Sequence, residues 1–225
     1  MGSENEKSAQ WSKKWHLMVA AAKQSLEEKG YDLERVPGRG LSNIWKVTKD
    51  GKTQTASIRT TQDRWFAFPP LENGAKWKTL DDADIVVVAA VDDREDPTAI
   101  EVYIFPASEV RKRFDEAYAA RVDGGLTVRN NFGMWVSLDK DERGIPASVG
   151  SGIIEQYPAV GTYALDEVAP SEDDAEPDFD ESGEGQAMPE PPKTIGDVLF
   201  LARHQIATIA GVDSEAVKLD LKIEY

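Results

Sequence analysis

The chain has 225 residues, 40% of them hydrophobic, enough for one substantial domain with a buried core or for a domain plus a small appendage. It has no cysteine, and its only histidines are His16 and His204; this excludes disulfides, thiol catalysis and thiolate metal sites, and leaves carboxylates as the ligands for any catalytic metal. The net charge of −15 divides into +2 over residues 1–90, −7 over 91–168 and −10 over 169–225; the total serves solubility, and the near-neutral first part leaves room there for contact with a nucleic acid.

Residues 1–7 are polar and read as a disordered tail rather than a signal peptide. No run reaches the ~18 consecutive apolar residues of a membrane helix, so a cytoplasmic protein with no membrane partner is expected. Trp11, Trp15, Met18, Ala22 and Leu26 recur at helical spacing, which predicts an amphipathic helix ended by Gly30. Strand-type runs follow at about 31–36, 43–48, 53–60, 84–91 and 100–105. "DIVVVAAV" lacks alternation and predicts a central strand covered on both faces. Ser108 is the expected N-cap of a helix in which Val110, Phe114 and Tyr118 share one face. "LTVRN", "MWVSL" and "GTYAL" read as short strands that close the same domain, residues 8–168. The expected fold is α/β, or α+β, with a mixed central sheet flanked by helices.

Residues 169–193 are acidic, rich in Pro and Gly and poor in large apolar groups, and read as a disordered linker. Residues 194–225 read as a helix-strand unit: Thr194 and Asp197 fit a capping box, and "VKLDLKIEY" alternates apolar and charged residues. Such a unit is too small to bury its own core and is expected to dock on the domain or on a partner chain.

The hairpin "NIWKVTKDGKTQTASIRTT", residues 43–61, carries a family resemblance. A starting helix, two such strands and a later helix, over about residues 10–120, resemble the PD-(D/E)XK restriction-endonuclease-like superfamily. That resemblance implies a nuclease-like core in which a strand Asp and the acid of (D/E)-x-K hold Mg²⁺ and the Lys orients the nucleophile. Here Asn43, Ser57 and Arg59 stand at the three motif positions. Neutral Asn and Ser hold Mg²⁺ poorly, and Arg cannot accept a proton. The resemblance therefore implies a remnant site without catalysis. It also requires Asn43 to face Ser57, which a three-residue "KDG" loop with a bulge at Gly51 provides and a two-residue "DG" loop does not.

The leading expectation is a catalytically inactive nuclease-fold module that binds nucleic acid or protein, with Arg39, Arg59 and Arg64 as the phosphate contacts to DNA or RNA. A second is an active Mg²⁺-dependent nuclease with acids relocated among Glu27, Glu28, Glu34, Asp63, Asp81, Asp82, Asp84 and Glu101. A third is a protein-interaction adaptor working through residues 194–225. No cofactor is expected outside the Mg²⁺ of the second reading. The aromatic run "DRWFAFPP" has two readings, base stacking by Trp65, Phe66 and Phe68 or burial in the core.

Overall fold

Periodicity, turn residues and β-branched runs give, among the described residues, a mixed α/β fold: a curled six-strand mixed sheet, a half-barrel, with two α-helices. The computed structural model describes residues 3–36, 43–168 and Lys218, with side chains in the first helix from Lys14 onward. The chain divides into two units, Met1–Gly185 and Gln186–Tyr225, and every described residue except Lys218 belongs to the first. The linker at 169–193, the helix-strand unit at 194–225 apart from the exposed Lys218, and Arg39 lie outside the described residues.

Helix α1, Ser3–Glu28, begins within the segment read as a tail, eight residues ahead of Trp11. Leu17, Met18, Ala21, Ala22 and Leu26 are buried, as the helical spacing requires. The helix stops at Gly30, whose φ of +83° is open to glycine without strain, and the Tyr31 N–H donates back to the Leu26 carbonyl at 3.1 Å. Strands β1 (Asp32–Arg35), β2 (Ile44–Lys49) and β3 (Lys52–Thr61) form an antiparallel meander. The chain then makes β4 (Trp65–Phe68), β5 (Pro70–Leu71) and β6 (Lys76–Trp77) before returning to the sheet as β7 (Ile85–Val91). Strand β7 runs parallel to β3. Next come β8 (Ala99–Pro106), α2 (Ala107–Asp123), β9 (Met134–Ser137) and β10 (Gly161–Ala164). The main sheet has the order β1-β2-β3-β7-β8-β10, and β4-β9 and β5-β6 are two separate ribbons.

Strand β7 is buried along its whole length, the outcome expected of its unbroken apolar run. Val87, Ala89 and Val91 pack with α1, while Val86, Val88 and Ala90 pack with α2 and the β4-β9 ribbon. Phe66, Phe68, Trp77, Phe105 and Phe114 fill this second layer, so Phe66 and Phe68 belong to the core and are not stacking groups. Two local expectations fail. Strand β8 runs through Pro106, which takes the N-cap position of α2, and Ser108 lies one residue inside the helix. "LTVRN" pairs with no strand. Among the described residues no helix is long and apolar enough to cross a membrane.

Two carboxylates hold the turn between β7 and β8: Asp93 accepts the N–H groups of Glu95 and Asp96, and Asp92 ties the two strand ends together. Asp92 accepts the N–H groups of Thr98 and Ala99, both at 3.0 Å, and the Thr98 hydroxyl at 2.6 Å. Burial pushes its carboxyl up, but these donors outweigh that and hold its pKa below the ordinary carboxylate range. A depressed folded pKa stabilises the protein above the unfolded value of about 3.9, and the stabilisation is lost as pH falls toward the folded value. Asp92→Ala is therefore expected to lower the melting temperature near neutrality and to flatten its fall below about pH 4. Parallel acid limbs in wild type and variant would contradict this.

Candidate functional site

The hairpin register decides what happens to Asn43, Ser57 and Arg59. Asp50 and Gly51 have φ of +52° and +75°, the left-handed pair of a two-residue type I′ turn. Asp tolerates this conformation and Gly is free in it, so no bulge is needed. Lys49 pairs with Lys52 and Ile44 with Ser57. One step further, the Ile58 N–H donates to the Asn43 carbonyl at 2.8 Å. Partners across an antiparallel pair share a face. Asn43 thus stands on the side of Ile58 and α1, and Ser57 and Arg59 on the side of α2. The register required by the nuclease resemblance is not the one adopted, and the residue that faces Ser57 is the buried Ile44.

Arg59 is also withdrawn from the surface, at 6% exposure. Its guanidinium lies 4.5 Å from the Phe68 ring centroid and donates to the Ile58 carbonyl at 3.2 Å and to the Thr79 hydroxyl. The Ser57 hydroxyl is buried with no hydrogen-bond partner among the described residues.

Arg64 sits at φ +63° just before β4 and is equally committed. It grips Asp139 through Nε at 2.7 Å and Nη2 at 3.1 Å, Glu101 at 2.7 Å, the Val91 carbonyl at 2.9 Å and the Tyr103 hydroxyl at 3.0 Å. Burial pulls the guanidinium pKa down, but Asp139, Glu101 and Tyr103 outweigh it and raise it. Burial, then the hydrogen bond to Glu101 at 2.6 Å, pushes the Tyr103 hydroxyl up to about 12. All five N–H groups of Arg64 are used within the fold, and Arg59 differs from an exposed phosphate contact in being buried against Phe68.

The acids considered for a relocated metal site are dispersed. Glu28 accepts from Gln24 and Tyr163, Asp63 from Thr61 and the Trp65 N–H, and Asp84 from the Thr55 N–H; Asp81 is paired with Arg111. Among the described residues no group of three His, Cys, Asp or Glu side chains is placed to hold a metal ion.

A different surface emerges from the β4-β9 ribbon. Phe66, Phe68, Met134 and Val136 point into the core, so alternation puts Trp65, Ala67, Trp135 and Ser137 on the other side of the ribbon, where the first three are half-buried and Ser137 is buried. Ala67 pairs with Trp135 and Trp65 with Ser137. Phe132 packs edge-to-face on Trp135 at 5.7 Å, and Arg143 lies 4.6 Å over Trp65 while its charge is held by Asp141 at 2.9 Å. The Trp135 ring lies 3.0 Å from where a Cβ on Gly133 would stand, so a side chain there would press on the indole.

The C-terminal end of α2 adjoins this ribbon. Arg121 donates to the Trp135 carbonyl at 2.7 Å, and Pro146 comes within 3.6 Å of the Cβ position of Gly124. The four large hydrophobic side chains exposed among the described residues are Val122 (47%), Leu126 (52%), Phe132 (52%) and Ile145 (82%), and all four lie in this region.

No family model matches the chain, and neither a curated protein nor a solved structure matches it. The function must be read from the geometry. The outward face was not anticipated, although "WFAF" and "MWVSL" each place Trp at the position alternating with core residues, the one local signal for it.

Proposed function

We propose that this chain is a binding module whose partner is a protein, engaged through the β4-β9 ribbon, the end of α2 and the 143–146 loop. The observation that carries this is that the four exposed large hydrophobics, Val122, Leu126, Phe132 and Ile145, all come from the end of α2, the approach to β9 and the 143–146 loop, beside the half-buried Trp135. Aromatic residues and Arg are enriched in protein interfaces, and a contiguous exposed apolar patch is costly to keep in water without a use. The hairpin supports a binding role over nuclease chemistry, because Ile44 fills the position opposite Ser57 and the arginines bind inward.

Leu126→Asp combined with Ile145→Asp tests the proposal. Both side chains are largely in solvent, so the fold should hold and the melting temperature should stay near that of wild type. Partner recovery by the tagged chain from its own cell extract is expected to fall about tenfold or more, as for charge placed in the core of an interface. Lys52→Glu on the exposed hairpin should leave recovery intact. Equal recovery by the face variant would overturn the proposal. Recovery of nucleic acid that is lost only in basic-residue variants would favour the nucleic-acid reading instead.

A further inference from the structure

We infer that the partner engaged through the end of α2, the approach to β9 and the 143–146 loop is a second copy of this chain, in a two-fold dimer; the inference rests on the protein-binding reading above and names its partner. The first argument is charge. Residues 121–146, which supply these three elements, hold four basic and four acidic side chains and carry no net charge. The −7 of residues 91–168 therefore lies entirely to either side of them in the sequence, within a chain of −15. Two copies of so acidic a chain repel each other, and a neutral apolar region is where they approach at least cost. A strongly basic or strongly acidic partner finds no net local charge there to favour it.

The second argument is that the charges left over here are matched in number. Asp139 is held by Arg64, Asp141 by Arg143, and Arg121 turns to the Trp135 carbonyl at 2.7 Å. Asp123, Glu142, Arg129 and Lys140 are exposed and enter no ion pair among the described residues. Asp123 adjoins Val122 at the end of α2, Arg129 stands between Leu126 and Phe132, and Lys140 and Glu142 precede Ile145. Two unpaired acids and two unpaired bases among four exposed apolar side chains make a surface that can be its own complement. In a two-fold interface, a base of one copy that meets an acid of the other is matched by the same pair in return. An apolar centre with a polar rim is also the usual make-up of a protein interface.

The third argument is that these side chains are presented by anchored backbone. The Leu126 N–H donates to the Arg121 carbonyl at 2.8 Å and the Asn131 N–H to the Pro70 carbonyl at 2.9 Å. Asn73 and Asn130 bond each other twice, from the Asn73 N–H to Asn130 Oδ1 at 2.9 Å and from Asn130 Nδ2 to Asn73 Oδ1 at 3.2 Å. The segment carrying Leu126, Arg129 and Phe132 is thus tied to α2 at one end and beside the β5-β6 ribbon at the other. In the next loop the Arg143 N–H donates to Asp141 at 3.0 Å and the Ser148 N–H to the Gly144 carbonyl at 2.9 Å, either side of Ile145. Groups already ordered lose less freedom on association, which lowers the cost of closing a dimer on this region.

The test is sedimentation velocity of the full chain across the micromolar range, at about 0.15 M salt, where exposed charges more than about 8 Å apart are largely screened. A monomer-dimer equilibrium is expected. Leu126→Asp with Ile145→Asp should weaken it about tenfold or more with circular dichroism unchanged. Two exposed charge variants test the complementarity. Asp123→Arg with Glu142→Arg leaves only bases among the unpaired charges, and Arg129→Glu with Lys140→Glu leaves only acids. Each alone should dimerise about tenfold or more weakly, because like charges then meet across the two-fold, and an equimolar mixture of the two should recover the dimer. A wild-type chain that stays monomeric, a dimer that any of the three variants leaves intact, or a mixture that fails to associate overturns the inference. If the wild-type chain is monomeric but recovers a different protein, and Leu126→Asp with Ile145→Asp loses it, the protein-binding reading stands and the second copy is not its partner. If that variant recovers the protein equally well, the reading falls with the inference.

Discussion

Phe114→Ala is expected to lower unfolding stability by about 3–5 kcal/mol, the range for a buried Phe truncated in a packed core. Phe114 is fully buried on α2 and its ring meets Phe66, Phe68 and Trp77 edge-to-face at 5.4, 5.3 and 5.2 Å. Truncation leaves a cavity where α2, β4 and β6 converge, and each lost aromatic pair adds about 0.5–1.5 kcal/mol beyond area burial. Phe114→Leu should recover a large part of the loss by filling volume. Urea denaturation with an unchanged m-value would read the effect directly. A loss below about 1 kcal/mol would mean that the layer collapses onto the cavity, a behaviour close-packed interiors rarely show.

Arg64→Ala is expected to cost about 2–4 kcal/mol, somewhat less than the 3–5 of a fully buried pair because the Asp139 side chain is 42% exposed. The substitution strands Glu101 and Asp139 and removes the donor to the Val91 carbonyl. Arg64→Lys should fail almost as badly, since a single ammonium cannot reproduce the two-pronged grip on Asp139. Adding Glu101→Gln and Asp139→Asn to the Ala variant should restore part of the stability by removing the stranded charges. Arg64 directly precedes Trp65, and Asp139 follows the end of β9 by two residues. The node therefore ties the aromatic ribbon to β7 and β8, and Arg64→Ala should weaken partner binding as well as stability. A variant as stable as wild type, with binding intact, would show that the node is dispensable.

The local rules of helix and strand determined a good part of this protein. The 3.6-residue spacing of Met18, Ala22 and Leu26, the unbroken run of β7 and the Gly30 stop are properties of short segments, and the structure keeps each of them. The Asp50-Gly51 pair also determined its own turn: both residues accept positive φ, so the two-residue loop wins and sets the register of the hairpin. That register separates Asn43 from Ser57, because a two-residue loop leaves them on opposite faces of the paired strands. Ser108 illustrates the limit in the other direction. It is a sound capping residue, but β8 continues to Pro106 and the Ala107 N–H donates to the Asp84 carbonyl at 3.0 Å, so the sheet rather than the side chain starts the helix. The candidate face depends wholly on tertiary structure. Trp65 and Trp135 are each marked by alternation within a single strand but lie 70 positions apart, Arg64 draws its partners from positions 91, 101, 103 and 139, and no sequence spacing links either set. Burial of alternating residues follows from one strand at a time, whereas a surface shared by two distant strands and a helix end exists only once the core has packed them together.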